Sequence, residues 1–318
     1  MGSARVKWLL MRLPKDSCDY RIKCPISALL FKSPHYKLAS TTTVMTEVSM
    51  IRGSTELVAI VGSPIAQVKS PENFNTWFAN NARDLAMLPI DLQPTALDAF
   101  VDTLRSWRNL RGCVVTVPYK QALAARLDRL SARAQALGSV NVIRREGDGR
   151  LVGDNVDGAG FLGAARQQGF VANGKRALVV GCGGVGSAIA YALGEAGLGQ
   201  ITLSDPCAER VGALGEVLGN AFPALAVATE YHSLEVFDLV VNASPIGMGD
   251  SGERPLPVAL LETLQASTLV ADVVTSPEIT PLLHKARERG CPIQTGAQMA
   301  FAQLGHLGAF MGVTPMEI

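Results

Sequence analysis

Two charged residues stand where a proton could be moved. Lys120 closes VVTVPYK, just past an apolar run, and Asp157 lies in GDNVDG. A lysine beside an aspartate can exchange a proton with a hydroxyl while hydride leaves the carbon that bears it. Asn141, in SVNVI, could hold a neighbouring hydroxyl. Each residue has a structural reading as well: Lys120 as a solvated helix cap, Asp157 as the N-cap of a following helix, Asn141 as a turn residue.

Hydride chemistry needs an acceptor, and GCGGVG offers a place for one. Gly181, Gly183 and Gly186 fit GxGxxG, after the apolar strand ALVV and before the helix-forming SAIAYAL. The next strand of this βαβ unit ends in Asp205. That context is what separates a dinucleotide fingerprint from a glycine-rich structural turn. The turn, with Gly184 and Val185 inside it, would let backbone amides and a helix N-terminus face a pyrophosphate. Asp205 would accept hydrogen bonds from the adenosine ribose. A carboxylate repels a 2′-phosphate, and Pro206 and Cys207 follow it rather than an arginine. NAD is therefore expected over NADP.

A third stretch, GSPIAQVKSP, leaves the first strand. Gln67, Lys69 and Ser70 can hydrogen-bond there, and Val68 cannot. An ordinary strand-to-helix connection would use Ser70 as N-cap and Pro71 at the first helical position.

The elements that must position these residues alternate along the chain. LVAIVG reads as a strand, SPENFNTWFANNAR as a helix, MLPIDLQP as a strand and ALDAFVDTLRSW as an amphipathic helix. RGCVVTVPYK reads as a strand ending at Pro118, QALAARLDRLSARAQAL as one helix, and SVNVIRREGDGRLVGDN as a hairpin turning at Gly147–Gly149. DGAGFLGAARQQGF is a connecting helix. The second half repeats the plan with KRALVVGCGGVGSAIAYALGEAG, QITLSDP, FDLVVNASPIGM, STLVADVV, TPLLHKARERG and GAQMAFAQLGHLGAFMG. Alternation of this kind predicts an α/β fold with mostly parallel sheets. The expected division is a disordered or non-native extension over 1–53, a substrate and catalytic domain over 54–157, a Rossmann domain over 158–295, and a helix over 296–318 that returns to the first domain. Met45 and Met50 precede the first strand, so the extension could lie upstream of the true start or be a targeting segment.

Composition narrows the function. A length of 318 residues suits two domains, and 48% hydrophobic with 18% charged residues suits a globular chain with a large core. The net charge of +1 gives no reason to expect nucleic acid or a membrane as partner. The six cysteines form no CxxC and the four histidines no HExxH, so reduced thiols, a cytoplasmic location and no metal are expected. The partner would be a small molecule, met by a monomer or homodimer.

GSPIAQVKSP, VVTVPYK, SVNV, GDNVDG, GCGGVG, NASPIGM and GAQMAFAQ together resemble, in order and spacing, the shikimate dehydrogenase family. The likeness runs through the chain after about its first fifty residues. It implies a first domain that binds a cyclic hydroxy acid and a second that binds the dinucleotide. It implies Lys120 and Asp157 as the catalytic pair, Asn141 and Gln303 as contacts to ring hydroxyls, and Thr116 as a further pocket residue. It places Ser244 and Gly247 beside the nicotinamide and Gly296 with the cofactor-binding set. The family's first loop usually carries S-x-S for the substrate carboxylate; here Val68 and Ser70 stand in that pattern. Thr275, in ADVVTSP, stands where the family usually has a tyrosine. The asparagine-arginine-threonine run of NADP-binding members is Ser204-Asp205-Pro206 here. The resemblance therefore implies an NAD-linked dehydrogenase for shikimate or a close ring acid such as quinate. A non-catalytic NAD-binding regulator on the same frame is the alternative.

Overall fold

The computed structural model of the chain describes residues 51–249 and 251–317. The extension read over 1–53 falls, up to residue 50, outside the described residues.

The first half is built from β1 (Glu56–Gly62), α1 (Ser70–Asn80), β2 (Leu85–Asp91), α2 (Leu97–Ser106), β3 (Leu110–Val115), α3 (Lys120–Ala124), β4 (Arg129–Leu130), α4 (Ala132–Leu137), β5 (Val142–Arg145) and β6 (Leu151–Asp154). Its six strands run in the order β2-β1-β3-β5-β6-β4. β1 pairs parallel with β2 and β3, and β5 runs antiparallel to β3 and β6. Val58, Ala59, Ile60 and Val61 are all buried, so both faces of β1 are covered. A near-continuous apolar run is what a central parallel strand requires.

Helix α5 (Asp157–Gln167) leads into β7 (Arg176–Val180), α6 (Gly184–Glu195), β8 (Gln200–Ser204), α7 (Ala208–Ala221), β9 (Ala226–Ala228), β10 (Leu239–Asn242), α8 (Val258–Leu261), β11 (Leu269–Asp272), α9 (Pro281–Glu288), β12 (Ile293–Gln294) and α10 (Gly296–Met311). These strands form a second sheet, wholly parallel, in the order β12-β11-β10-β7-β8-β9. The order reverses between β7 and β10, and ligands of such sheets bind at the carboxyl ends beside that reversal.

Two helices join the halves. α5 packs between α6 and α10. α10 opens with a capping box between Thr295 and Gln298, then lies on α5, β5, β3 and α1. Its Leu304, Leu307 and Met311 share a core with Val58, Ile60, Phe74 and Phe78 of the first sheet and α1. An apolar helix of this kind is stable only against such a surface.

Several local expectations change. The single helix read over QALAARLDRLSARAQAL is three elements, α3, β4 and α4. Leu127 and Leu130 do reach the core, but from a bend and from the short strand after it, whose Arg129 and Leu130 pair with Val152 and Gly153 of β6. The strand read through Pro118 stops at Val115, and Lys120, read just past that strand, is the first residue of a helix whose N-cap is Tyr119. Helix α7 and strand β9 carry no counterpart in the sequence reading. Among the described residues no helix is long and apolar enough to cross a membrane, and no group of three or more His, Cys, Asp or Glu could hold a metal ion.

Candidate functional site

Asp157 is the first residue of α5, and Val156, not Asp157, is the N-cap. The capping role is therefore not the one it plays. Its carboxylate is instead the meeting point of four elements. Oδ2 lies 2.5 Å from Lys120 Nζ, at the start of α3. Oδ1 accepts from Asn141 Nδ2, just before β5, and from Gln303 Nε2, on α10, each at 2.8 Å. The side chains of Lys120 and Asp157 are 17% and 6% exposed, so the pair is largely withdrawn from solvent. Asn141 is itself held: its Oδ1 accepts from Val156 N at 2.8 Å. Both its amide oxygen and its amide nitrogen bond within this corner, with one Nδ2 hydrogen left over, so it does more than turn the chain.

The backbone around the corner is fixed by further bonds. Val140 N donates to Lys120 O at 3.0 Å, and Val115 N to Asn141 O at 2.7 Å. Gln303 reaches Asp157 because α10 and α5 approach closely at Gly160. A Cβ there would lie 2.1 Å from Gln303 Cγ and 3.1 Å from its Cα. Only glycine permits that separation.

The loop after β1, which the sequence reading gave to the substrate, starts beside this corner. Ser63 N donates to Val117 O at 3.1 Å, and Thr116 N to Val61 O at 2.9 Å, so the loop after β1 starts against the Thr116–Lys120 turn. Thr116 is half-buried. Ser70 is the first residue of α1, and Lys69 is the N-cap, with no side-chain cap bond. The capping role read for Ser70 is thus not observed, and its half-buried hydroxyl has no hydrogen-bond partner among the described residues. Half-buried Val68 packs on the apolar cluster that holds Phe74, Leu304 and Leu307, as do Ile65, Trp77 and Phe310. Gln67 Nε2 bonds to Pro64 O at 2.8 Å and Lys69 Nζ to Glu72 Oε2 at 3.2 Å. Thr275 is exposed in the loop after β11.

The glycine turn has the shape its sequence requires. Gly181 has φ +100, and a Cβ on Gly186 would lie 1.8 Å from Gly181 O. A Cβ on Gly183 or Gly184 would meet nothing within 4 Å, which leaves open space over the start of α6. Main-chain N–H groups of a first helical turn, in open space, fit a pyrophosphate. Gly183 is the N-cap, and Val185 lies in the first turn. Asp205 stands at the end of β8. Its Oδ2 accepts from Cys182 N at 2.8 Å and its Oδ1 from Cys207 N at 2.9 Å. Burial opposes its ionisation, but these two amides and Arg210 hold the carboxyl below the ordinary carboxylate range. The anchored carboxylate keeps lone pairs for a further donor. Burial, with the Asp205 charge adding to it, pushes the Cys182 thiol up to about 11.

Ser244 and Gly247 follow β10, in a loop drawn tight by Asn242. Asn242 Oδ1 accepts from Ser244 N at 3.1 Å and from Ser244 Oγ at 2.7 Å, and its Nδ2 bonds to Ile246 O at 2.9 Å. Behind it sits Asp272, which accepts from Asn242 Nδ2 at 3.0 Å, Val274 N at 3.0 Å and Thr280 Oγ1 at 2.7 Å. Burial raises its pKa against those three bonds. Gly296 lies where a Cβ would be 2.3 Å from Val274 O, so it serves at least the docking of α10 on this loop. Asn242, Asp272, Thr280 and Gly160 are residues that the sequence pattern does not single out. Asn242 stands in NASPIGM and Asp272 in ADVVTSP, and Thr280 opens TPLLHKARERG as a helix N-cap before Pro281; nothing local marks Gly160.

Similarity to known proteins runs along most of the chain. Residues 60–143 match the model of the shikimate dehydrogenase substrate binding domain. A protein of Rubrobacter xylanophilus, named shikimate dehydrogenase (NADP(+)), is 36% identical over 84% of this chain and 95% of its own. The solved 5-ketofructose reductase of a Gluconobacter strain is similar with a TM-score of 0.78 and 25% identity, over 84% of this chain and 96% of that one. Shikimate 5-dehydrogenase of Listeria monocytogenes, in complex with shikimate and NAD, is similar with a TM-score of 0.75 and 28% identity, over 82% of this chain and 93% of that one.

Proposed function

Because the chain belongs to the shikimate dehydrogenase family, NAD(P)-dependent oxidoreductases acting on a CH–OH group, we propose that it interconverts shikimate and 3-dehydroshikimate, or a close cyclic polyhydroxy acid and its ketone, with NAD as redox partner. The observation that carries the reading is the convergence of Lys120, Asn141 and Gln303 on the one carboxylate of Asp157.

Lys120 Nζ takes the proton of the ring hydroxyl being oxidised. Asp157 Oδ2 keeps that nitrogen in place and orients the hydroxyl. Asn141 and Gln303 fix Oδ1, so the carboxylate cannot rotate away, and their remaining polar atoms can meet neighbouring hydroxyls. The dinucleotide, when bound, takes up the hydride. The start of α6 would receive its pyrophosphate and Asp205 its adenosine ribose. The reverse reaction returns the proton from Lys120 to the carbonyl oxygen. The fixed donors need no reorganisation at the moment of transfer.

Two features support a change from the family's usual selectivity. Asp205 disfavours a 2′-phosphate, so cofactor choice is where this chain would part from the Rubrobacter relative named for NADP(+). Val68 faces the apolar core and Gln67 and Lys69 bond locally. The carboxylate end is thus left with Ser70, which favours quinate or another ring acid as a second reading.

The test is a spectrophotometric assay of nicotinamide reduction with shikimate and quinate, each with NAD and NADP, and Lys120→Ala as control. Lysine-dependent turnover with NAD is expected. High shikimate turnover with NADP and none with NAD would overturn the NAD reading. NAD binding with silence on all four pairs would overturn the dehydrogenase reading in favour of a cofactor sensor.

A further inference from the structure

We infer that Asp154 and Arg133 are positioning residues for the proton-transfer pair: an ionic clamp, buried on its Asp154 side and half-buried on its Arg133 side, that holds the 154–157 turn, and with it the Asp157 carboxylate, in place. The inference rests on the reading of Lys120 and Asp157 as that pair.

Asp154 is the last residue of β6, and its side chain is 6% exposed. Its Oδ1 accepts from Ser131 Oγ at 2.5 Å, Arg133 Nε at 2.8 Å and Asn155 N at 2.7 Å. Its Oδ2 accepts from Arg133 Nη2 at 2.5 Å. The guanidinium thus grips the carboxylate with two parallel bonds, the most directional form of ion pair. On the other side, directional bonds run from this residue to the site. Asp154 O accepts from Asn141 N at 2.9 Å. Asn155 Nδ2 donates to Ser139 Oγ at 3.0 Å, and Asn155 Oδ1 accepts from Asp157 N at 3.2 Å. Val156 N donates to Asn141 Oδ1, whose amide nitrogen holds Asp157.

Arg133 belongs to α4, whose Ser131 N-cap is shared between Ala134 N and Asp154. α4 packs on α6 and α7 of the second half, and Ala136 and Leu137 join the core around β7 and β8. The clamp therefore ties the Asp157 turn to the helix that the glycine turn opens. An ion pair whose carboxylate is buried is a poor source of net stability, because desolvating that charge offsets much of the attraction. It is a good source of a single geometry. Nothing in the ladder of β6 needs it, since the backbone groups of Asp154 are already paired with Asn141 and Val142.

The test compares wild type, Asp154→Asn and Arg133→Lys, each confirmed as folded by circular dichroism. kcat and KM are measured on the ring acid that wild type oxidises. The rate at which acetic anhydride modifies Lys120 is read by mass spectrometry. For Asp154→Asn, kcat should fall roughly ten- to a hundredfold with little change in KM, and Lys120 should be acetylated several-fold faster. Arg133→Lys keeps the charge, loses the paired bonds and should fall between. A folded Asp154→Asn with wild-type kcat and wild-type Lys120 acetylation would overturn the inference, even if its melting temperature dropped. If Asp154→Asn does not fold, Arg133→Lys is judged on the same two readings. Turnover that survives Lys120→Ala would overturn the assignment of the pair itself; the acetylation ratio needs no substrate and still decides the clamp.

Discussion

The corner around Asp157 and the loop after β1 use polar side chains in opposite ways. At the corner, Lys120, Asn141 and Gln303 come from three separate elements and spend their hydrogen bonds on one carboxylate. In the loop, Gln67 bonds back to Pro64 and Lys69 to Glu72, three residues away in each case. Val68 between them faces the core. The corner is over-determined by tertiary structure; the loop is held by its own neighbours. On the proposed reading, reaction type is set where four elements must agree, and substrate choice is set in a loop held by its own neighbours.

Removing the lysine breaks the corner most directly. Lys120→Ala should lower turnover about a hundred- to ten-thousandfold, with NAD binding retained. Nicotinamide reduction and cofactor titration check this in parallel. Comparable loss of both would mean that the variant had damaged the fold.

The corner can also be broken without touching any polar group. Gly160→Ala puts a methyl 2.1 Å from Gln303 Cγ. α10 must move outward or Gln303 must leave Asp157. A displacement of that order should cost up to about a hundredfold in kcat. A kcat within a factor of two of wild type would show that Gln303 contributes little to the geometry.

Much of this corner is legible in the amino-acid sequence, and some of it is not. Lys120, Asn141 and Asp157 sit in short motifs whose residue types allow proton exchange, for the first and last, and hydroxyl binding, for Asn141. The glycine turn and Asp205 are legible for the same reason, since a local fold carries them. Gln303 lies 146 residues from Asp157, and only the family resemblance points to it. Gly160 and Arg133 carry no local signal, because their value comes from which helices cross. The single helix expected over residues 121–137 fails for a plain cause. Leu123, Leu127, Leu130 and Leu137 recur at helical spacing, yet the chain turns extended to give the sheet another strand beside β6. The N-cap serine at 131 is the one local mark of that break.

Restoring a hydroxyl sharpens the comparison from the loop's side. Val68→Ser returns the family's S-x-S pattern and should lower KM for shikimate by roughly tenfold, the worth of one hydrogen bond to a charged group, about 1.5 kcal/mol. The same change removes apolar contact with the core cluster and should cost on the order of 1 kcal/mol of stability. Initial-rate kinetics and thermal melts separate the two effects. An unchanged KM would mean that residue 68 does not face the substrate.

The smallest effect contrasts two buried carboxylates, one in each half. Burial works against the charge of Asp154, but Arg133 and Ser131 outweigh it and hold its pKa below the ordinary carboxylate value. Its contribution to stability is therefore present above the unfolded value, near about 3.9, and is lost as pH falls through the lower folded one. Asp272 is the reverse case: burial raises its pKa, so its contribution is present at low pH and lost as pH rises through the folded value. Urea unfolding of wild type and Asp154→Asn between about pH 5 and 2.5 should show the wild-type curve falling more steeply, by at most about 1.4 kcal/mol per pH unit for one proton. Parallel curves would mean that the Arg133 pair does not keep Asp154 charged, and the clamp would then act through hydrogen-bond geometry alone.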